Sequence, residues 1–428
     1  MPLTPNDNLP FLRRCFRRLV MLTMLLQASS ALAGDWPQIL GPNRNGIAAD
    51  DEQLIAWPSD GPKEVWTADV GQGFAGVAVR GDTVILFHRT DEREVVEARS
   101  ATTGRQQWAQ PAAVDYRSGM SSDSGPRCVP LIHEDRILVF GIAGQLRCLA
   151  WNDGSEIWSR DTWKDFGAPE GYFGAGSSPL VIGDVVVVNV GGRAGAAVVG
   201  FDLKTGRTLW SSFDDTASYS SPIAITPNDR TQAVVITRLH TLFLNPADGD
   251  VIDSFPFGAR GPTVNGASPV WIDDHIFVSS SYRVGSVLAD CRGDSVKAAE
   301  LGEDLLATQY ATPVRHGILL YAVDGRQDIG SATVKCIDPL NKETLWQQPG
   351  FDYGTLLRVR DELIFLTCGG ELIRFAADDT GYKESNRSTV LEATPRGYRL
   401  PALSNGRLYI RDDQQLKCLQ VGLSKSVQ

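Results

Sequence analysis

The sequence lacks the short motifs that mark most catalytic and metal sites. Its seven cysteines include no CxxC pair, no adjacent pair and no CxxCH haem motif, so neither a redox dithiol nor a c-type cytochrome segment is expected. The five histidines, at 88, 133, 240, 275 and 316, show no HxxxH or HExxH spacing. No GxSxG nucleophile elbow is present either. We therefore predict no catalytic residue and no metal ligand.

Positive charge is also scarce, with 41 lysines and arginines against 51 aspartates and glutamates and a formal net charge of -10. Nucleic acids and anionic membranes are bound through basic faces, so we predict neither as a partner. Hydrophobic residues make up 43% of the chain, which indicates a globular protein with a large core.

The apolar run near the N-terminus, 19–26, is too short to cross a bilayer comfortably. It follows four arginines within 13–18 and precedes Ala31-Leu32-Ala33, a pattern typical of a signal peptide. We predict a signal peptide over 1–33, cleavage after Ala33, and a periplasmic or cell-envelope protein without a transmembrane span. A retained membrane anchor is the alternative, and Arg13-Arg14 leaves Sec and twin-arginine export both open.

The stretch from Ser178 to Trp210 shows the organisation of the chain in one copy. It contains three β-type runs rich in Val, Leu and Phe, divided by turns. Asp202 and Thr205-Gly206 supply turn chemistry, and a fourth strand follows with Trp210. A four-stranded unit of this kind cannot bury its own faces, so it requires copies beside it.

The turn after the first strand of this unit recurs along the chain. Successive copies lie 43 to 53 residues apart, the length of one four-stranded propeller blade. The eight copies are Gly81-Asp82, Glu134-Asp135, Gly183-Asp184, Asn228-Asp229, Asp273-Asp274, His316-Gly317, Arg360-Asp361 and Asn405-Gly406. We predict an all-β fold, an eight-bladed β-propeller of four-stranded antiparallel blades. Seven blades, with a degenerate unit near 287–300, is the alternative.

The two ends of the repeat region complement each other. Residues 63–71 resemble the last strand of a unit that lacks its first three strands, and 398–422 supply three strands and stop. Together they complete one blade, so an N-terminal strand is predicted to close the ring. The mature chain then consists of an extended arm over 34–62, a propeller over 63–422 and a tail over 423–428.

Tryptophan recurs at the end of the repeat, where a large flat side chain can cover the seam to the next blade. Asp253 and the stretches near Ala298 and Glu384 have lost it. The positions that keep it, which we expect to dock neighbouring blades, are Trp66, Trp108, Trp158, Trp210 and Trp346.

Cysteine also recurs in the repeat. Cys148, Cys336 and Cys418 occupy equivalent places shortly before a turn, where a small apolar residue suits a strand. We expect buried free thiols, with disulfides among the six mature cysteines as the alternative, since spacing alone assigns no pairing.

The repeat resembles a known family. Ser178-Pro179, Gly183-Asp184, Thr205-Gly206 and Trp210 are similar to the repeat of pyrroloquinoline-quinone-like (PQQ-like) β-propellers. The resemblance extends over essentially the whole mature chain and implies the fold, whereas a fold does not fix a function. The family includes quinone-dependent alcohol dehydrogenases, a lipoprotein of the outer-membrane barrel-assembly machinery, and exported proteins without a known activity. The lead-in segment with Trp36-Pro37 is most similar to that of the last group.

The resemblance also implies what an enzyme of this family requires. Its dehydrogenases hold PQQ against a disulfide of adjacent cysteines and bind calcium through carboxylate and amide oxygens. No two cysteines are adjacent in this chain, and this difference puts quinone chemistry in doubt.

Propeller geometry gives the best candidate binding site. The loops that lead into the inner strands crowd one mouth of the central channel, where ligands and partners bind. Aromatic rings, an amide and guanidinium groups at this mouth suit a planar or anionic ligand, although the same side chains could instead simply fill space between blades. The candidate residues are Arg127, Tyr172, Tyr219, Asn265, Tyr310 and Arg399.

These observations favour an exported, non-catalytic propeller that serves as a binding or assembly scaffold in the cell envelope. Its expected partner is an envelope protein or a small planar or anionic ligand. The alternative is a PQQ-dependent oxidoreductase of the alcohol dehydrogenase kind, with calcium. We predict a monomer, because a closed ring lacks the free sheet edges that invite pairing.

Overall fold

Short strands separated by turns make up most of the chain. The computed structural model describes residues 34–119, 124–261, 263, 265–393 and 400–423. Strands in these residues pair into eight antiparallel sheets of four strands, and the first strands of neighbouring sheets contact each other around a central channel. The predicted eight-bladed propeller is confirmed, and the seven-bladed alternative is wrong.

Each blade has its first strand beside the channel and its fourth strand at the outer rim. Blades 1 and 2 contain β2 (Val77–Arg80), β3 (Thr83–Thr90), β4 (Arg93–Ser100), β5 (Gln106–Ala113), β6 (Leu131–His133), β7 (Arg136–Phe140), β8 (Gln145–Ala150) and β9 (Glu156–Asp161). Blades 3 and 4 contain β10 (Leu180–Ile182), β11 (Val185–Asn189), β12 (Val198–Asp202), β13 (Thr208–Ser212), β14 (Ile223–Ile225), β15 (Gln232–Ile236), β16 (His240–Leu244) and β17 (Val251–Pro256).

The second half of the ring repeats this order. Blades 5 and 6 contain β18 (Val270–Ile272), β19 (His275–Ser280), β20 (Gly285–Asp290), β21 (Lys297–Leu301), β22 (Val314–His316), β23 (Leu319–Arg326), β24 (Ser331–Asp338) and β25 (Glu343–Phe351). Blades 7 and 8 contain β26 (Gly354–Val359), β27 (Glu362–Thr367), β28 (Glu371–Ala376), β29 (Glu384–Thr389), β30 (Ala402–Ser404), β31 (Arg407–Arg411), β32 (Gln415–Gln420) and β1 (Lys63–Asp69).

Blade 8 joins the two ends of the chain. β1 pairs antiparallel with β32, in a register that runs from Lys63 opposite Gln420 to Asp69 opposite Gln415. The N-terminal strand is thus the outer strand of the blade whose other three strands end the propeller. This confirms the predicted closure of the ring. In blade 8 the third and fourth strands are therefore not connected by a turn of the chain, unlike those of the other blades.

The burial of each strand follows its place in the blade. Second strands such as β11 are almost completely buried, because Val186, Val187 and Val188 face the neighbouring blades on both sides. Fourth strands such as β21 are exposed along most of their length. Continuous apolar runs therefore mark the middle of a blade, and mixed polar sequence marks the rim.

The seams between blades are built around the recurring tryptophans. The indole Nε1 of Trp158 donates a hydrogen bond to the carbonyl of Leu203 in the next blade, and Trp210 donates in the same way to Pro246. Trp66 and Trp346 donate to Ala101 and Asp378. A Cβ built at Gly154 would lie 2.5 Å from the Trp108 ring, so this indole also lies on the next blade.

Where tryptophan is lost, a different contact can replace it. The carboxylate of Asp253 accepts a hydrogen bond of 2.6 Å from the Val296 backbone N–H of the next blade. A charge-assisted hydrogen bond thus crosses the seam between blades 4 and 5 in place of an indole.

The recurring cysteines make room for the indoles. Cys148, Cys336 and Cys418 lie directly opposite Trp158, Trp346 and Trp66 in the strand register. The six cysteines of the described residues are all buried and free of disulfide bonds. A small apolar side chain is required here because the neighbouring ring occupies the space above it.

The arm before β1 runs across one end of the channel. Trp36 and Val79 exchange two backbone hydrogen bonds, and Ala48 N donates to Arg358 O. Ile55 N then donates to Val421 O, which brings the arm to the closing blade. These contacts lie at the end of the ring that carries the turns after the first strands, so the arm covers that end.

Helices are minor elements. α1 (Thr162–Phe166) and α2 (Gly302–Leu305) each follow the last strand of a blade, and 3₁₀ turns occur at Pro227–Asp229 and Gln327–Ile329. No helix in the part of the chain that the structure describes is long and apolar enough to cross a membrane. The predicted signal peptide, 1–33, and its cleavage site lie outside the described residues.

Candidate functional site

A ring of equivalent positions surrounds the channel at the start of the first strands. We call it the inner ring; by strand register it consists of Gly76, Val129, Ser178, Ser221, Ser268, Thr312, Thr355 and Leu400. The Val129 N–H donates to Ser178 Oγ, and the Ser178 N–H donates to Ser221 Oγ, each at 2.9 Å. Ser268 N donates to Thr312 Oγ1 at the same distance. The hydroxyl of the residue before proline, which is Ser178, Ser221 or Thr312, therefore links its blade to the blade before it.

Larger side chains stand two residues before the inner ring, toward the channel mouth. Of those that line the cavity, three are aromatic, namely Phe74, Tyr219 and Tyr310, and Arg127 is a cation. Glycines fill the positions between them: a Cβ at Gly176 would lie 2.6 Å from the Tyr219 ring, and a Cβ at Gly266 would lie 2.7 Å from Tyr310 Cβ. The glycines thus give the aromatic rings the space to turn into the channel.

Together these residues form a central cavity. Its wall includes Ser268, Thr312 and Thr355 of the inner ring, and Ile39 and Leu40 of the arm contribute to its lining. Because the arm covers the end of the channel beside the first turns, the cavity opens toward the other mouth. The enclosed part of the cavity has a volume of about 80 Å³, and it continues into open space at its mouth.

Arg127 is held in this cavity by rings rather than by acids. Its guanidinium carbon lies 4.7 Å from the centroid of the Phe74 ring and 5.7 Å from that of Phe173. Its Nη1 is buried and has no hydrogen-bond partner among the residues that the structure describes. A buried N–H without an acceptor is costly, so Arg127 is available to a ligand.

The tyrosine hydroxyls of the wall are already used by the protein. Tyr219 Oη accepts a hydrogen bond of 2.9 Å from the Phe173 backbone N–H, and burial raises the pKa of Tyr219 to about 12. Tyr310 Oη donates to Gln327 Oε1 at 3.0 Å. Tyr310 therefore uses its hydroxyl proton within the protein, whereas Tyr219 uses only an oxygen lone pair, and both residues offer a ligand their ring faces.

The remaining predicted site residues are placed elsewhere. Tyr172 is partly exposed in a neighbouring hollow, where Arg238 lies over its ring at 5.7 Å. Asn265 is buried, and its amide donates to the carbonyls of Thr237 and Arg238, so it supports a loop and does not line the cavity. Arg399 lies outside the described residues.

A second guanidinium lies deeper, on the arm. Arg44 is buried and donates to the carbonyls of Ser178 and Pro179 at 3.0 and 2.8 Å and to Gln38 Oε1. All of these acceptors are uncharged, and burial lowers the pKa of Arg44 to about 9. The channel region thus holds positive charge although the chain is acidic as a whole.

The wall of the cavity does not fit a calcium-bound quinone. Calcium requires several converging oxygens from carboxylates, amides or carbonyls. The described residues that line the cavity include no aspartate, glutamate, asparagine or glutamine side chain, and no described group of three His, Cys, Asp or Glu is placed to hold a metal. We therefore derive no reaction through a quinone and calcium.

Sequence reasoning missed part of this site. Phe74 and Thr355 stand at positions equivalent to Arg127 and Ser178, and counting back from each turn would have located them. Ile39, Leu40 and Arg44 belong to the arm, which carries no repeat, so no signal in the sequence places them in the channel.

Comparison with known proteins agrees with this architecture. A family model described as outer membrane protein assembly factor BamB matches residues 92–348. One curated relative, the outer membrane protein assembly factor BamB of Burkholderia pseudomallei (strain K96243), is 24% identical over 286 residues, which are 56% of this chain and 71% of the relative.

Solved structures share the fold at low sequence identity. BamB from Moraxella catarrhalis is 15% identical with a TM-score of 0.60, over 84% of this chain and 99% of that chain. A europium-containing methanol dehydrogenase is 10% identical with a TM-score of 0.65, over 89% of each chain. The quinohemoprotein alcohol dehydrogenase ADHIIG from Pseudomonas putida HK5 is 13% identical with a TM-score of 0.63, over 92% of this chain and 81% of that chain.

At such identities the solved structures establish the fold alone, and their substrates do not transfer. The family match is of a different kind, since it covers more than half of the 428 residues. On that evidence the chain belongs to the BamB-type family of PQQ-like β-propeller proteins.

Proposed function

We propose that this protein is an assembly factor of the cell envelope that works by binding another protein. The proposal rests on membership in a family described by outer membrane protein assembly and on the similarity to a curated relative with the same description. It includes export by the predicted signal peptide over 1–33. A quinone-dependent oxidation is not favoured, because the described residues of the cavity wall include no carboxylate or amide side chain to bind calcium.

The observation that carries the proposal is a set of exposed aliphatic side chains on the outer rim. Ile157 in β9, Leu209 in β13 and Ile252 in β17 are 41%, 39% and 49% exposed. They occupy the fourth strands of three consecutive blades. Val65 in β1, Val251 in β17 and Leu345 in β25 are also exposed on fourth strands, so aliphatic side chains recur around the rim and favour a protein contact. Contrary to the expectation from a closed ring, each fourth strand is a free sheet edge and offers unpaired backbone groups.

Site-specific crosslinking in living cells tests this proposal. A photoreactive amino acid would replace Ile157, Leu209 or Ile252, and in the control it would replace Glu300 on the exposed fourth strand of blade 5. We expect the three rim positions to crosslink to the same envelope protein, identified by mass spectrometry, and Glu300 to give no such product.

A deletion strain provides the functional measurement. We expect less folded outer membrane protein in its envelope and recovery on expression of the intact chain, whereas the triple variant Ile157→Lys, Leu209→Lys, Ile252→Lys should not restore it. Unchanged outer membrane protein in the deletion strain would contradict the proposal.

A further inference from the structure

Two polar groups in the wall of the central cavity lack partners. Nη1 of Arg127 and Oγ1 of Thr355 are both buried and have no hydrogen-bond partner within the described part of the chain. Both residues line the same cavity, Arg127 from the loop before blade 2 and Thr355 from the inner ring of blade 7. Other described atoms without a partner lie elsewhere in the blades, so it is the placement of these two in the wall of one cavity that favours a ligand.

Thr355 differs from three hydroxyls of its own ring, those of Ser178, Ser221 and Thr312. The equivalent hydroxyls of Ser178 and Thr312 each accept a backbone N–H of the preceding blade. No such contact satisfies the hydroxyl of Thr355. The described contacts therefore show no structural reason for a hydroxyl at this position of the cavity wall.

The charge in and beneath the cavity has one sign. The described wall contains Arg127 and no carboxylate, and Arg44 bonds below it to uncharged oxygens. Phe74, Phe173, Tyr219 and Tyr310 make the rest of the wall largely aromatic. The aromatic ring of a ligand would displace water from the aromatic faces of the wall. One anionic group of the ligand would pair with Arg127, and the low dielectric of the cavity would strengthen this pairing.

We infer that the central cavity binds a small aromatic molecule with a single anionic group, which pairs with Arg127 while a polar atom of the ligand reaches Thr355. A single cation in the described wall selects a monoanion, because a second or third carboxylate would be buried without a counter-charge. This inference goes beyond the proposed protein-binding function and does not depend on it.

Calorimetric titration of the purified mature protein tests the inference, with 2-naphthoate and its neutral counterpart 2-naphthamide as probes. We expect 2-naphthoate to bind at one site at least tenfold more tightly than 2-naphthamide. Arg127→Gln should weaken the naphthoate by at least tenfold and leave the amide within twofold. In a control of the same charge change, Arg117→Gln, an exposed arginine paired with Glu92, should alter neither affinity.

Folding of the variants is checked by thermal unfolding. Arg127→Gln should fold and melt only slightly below the parent protein, because it loses the contacts with the Phe74 and Phe173 rings but no hydrogen bond of Nη1. Thr355→Val, which keeps the shape of the side chain, should weaken 2-naphthoate by about threefold, or roughly 0.7 kcal/mol. Equal affinity for the acid and the amide, no binding of either, or full affinity in Arg127→Gln would each overturn the inference.

Discussion

Trp210 lies directly over Gly249 of the next blade: a Cβ built on Gly249 would fall 2.4 Å from Cε3 of the indole. Gly249 also has a φ of +78°, which disfavours any other residue. The same indole donates a hydrogen bond to the Pro246 carbonyl. The turn and the ring therefore form one unit that holds blade 3 to blade 4.

Gly249→Ala should lower the free energy of unfolding by about 2 to 4 kcal/mol, because it adds backbone strain and displaces the indole. Gly183→Ala is the matched control, since Gly183 has a φ of +59° and no atom within 4 Å of the added Cβ. Only the strain of roughly 1 kcal/mol should remain there. Chemical denaturation measures both, and equal losses would show that the indole contact contributes nothing.

The inner ring allows a comparison of two threonines at equivalent positions. Thr312→Val removes the acceptor for the Ser268 N–H and should cost about 1 to 3 kcal/mol, since that buried donor is left unpaired. Thr355→Val removes a hydroxyl that has no partner and should be neutral or slightly stabilising. Denaturation of the two variants in parallel checks this, and a loss in Thr355→Val as large as in Thr312→Val would contradict it.

Glu94 should make the stability depend on pH. Its carboxylate accepts a hydrogen bond from the Ile142 N–H across the seam between blades 1 and 2, but burial raises the pKa of Glu94 from 4.5 to about 7. The folded protein keeps the proton to a higher pH than the unfolded chain does. Its stability therefore falls as the pH rises from about 4.5 to about 7 and levels off above that range.

Glu94→Gln should remove this contribution, up to about 3 kcal/mol between the two ends of the pH range. Melting temperatures at a series of pH values for the parent, Glu94→Gln and the exposed control Glu300→Gln measure it. A parent slope that survives in Glu94→Gln would show that another group is responsible.

The cysteines should be unreactive while the protein is folded. Burial raises the pKa of Cys128 and Cys418 to about 12 and of Cys148 to about 11, and the thiolate is the form that reacts. A thiol-specific chromogenic disulfide reagent should modify almost none of them in buffer and all six of the described cysteines in denaturant. Fewer than six thiols in the unfolded, unreduced protein would reveal a disulfide.

Much of the fold was accessible from the sequence because its signals are local and repeated. Asp202 and Gly206, for example, form the turn that their types suggest: Thr205 N donates to Asp202 Oδ1 at 2.8 Å, and Gly206 has a φ of +68°. Because such a turn recurs in successive blades, the spacing of the turns along the sequence predicts the number of blades and the need for a closing strand.

The candidate site was less accessible. Arg127, Tyr219 and Tyr310 could be placed at the channel because they follow the repeat. Asn265 could not be separated from them, since the direction of its side chain depends on the conformation of one irregular loop. The arm was beyond prediction in detail, because contacts such as that of Arg44 with Ser178 join residues 134 positions apart and no periodicity signals them.

The pairing of Lys63–Asp69 with Gln415–Gln420 has a consequence for biogenesis. At roughly 5–20 residues per second, about 20 to 70 s of synthesis separate the appearance of the two strands. Throughout this interval the first strand has no partner within its own chain, and its exposed edge can pair with another nascent molecule. Loss of either strand disrupts the same blade, so closure of the ring requires both Lys63–Asp69 and Gln415–Gln420.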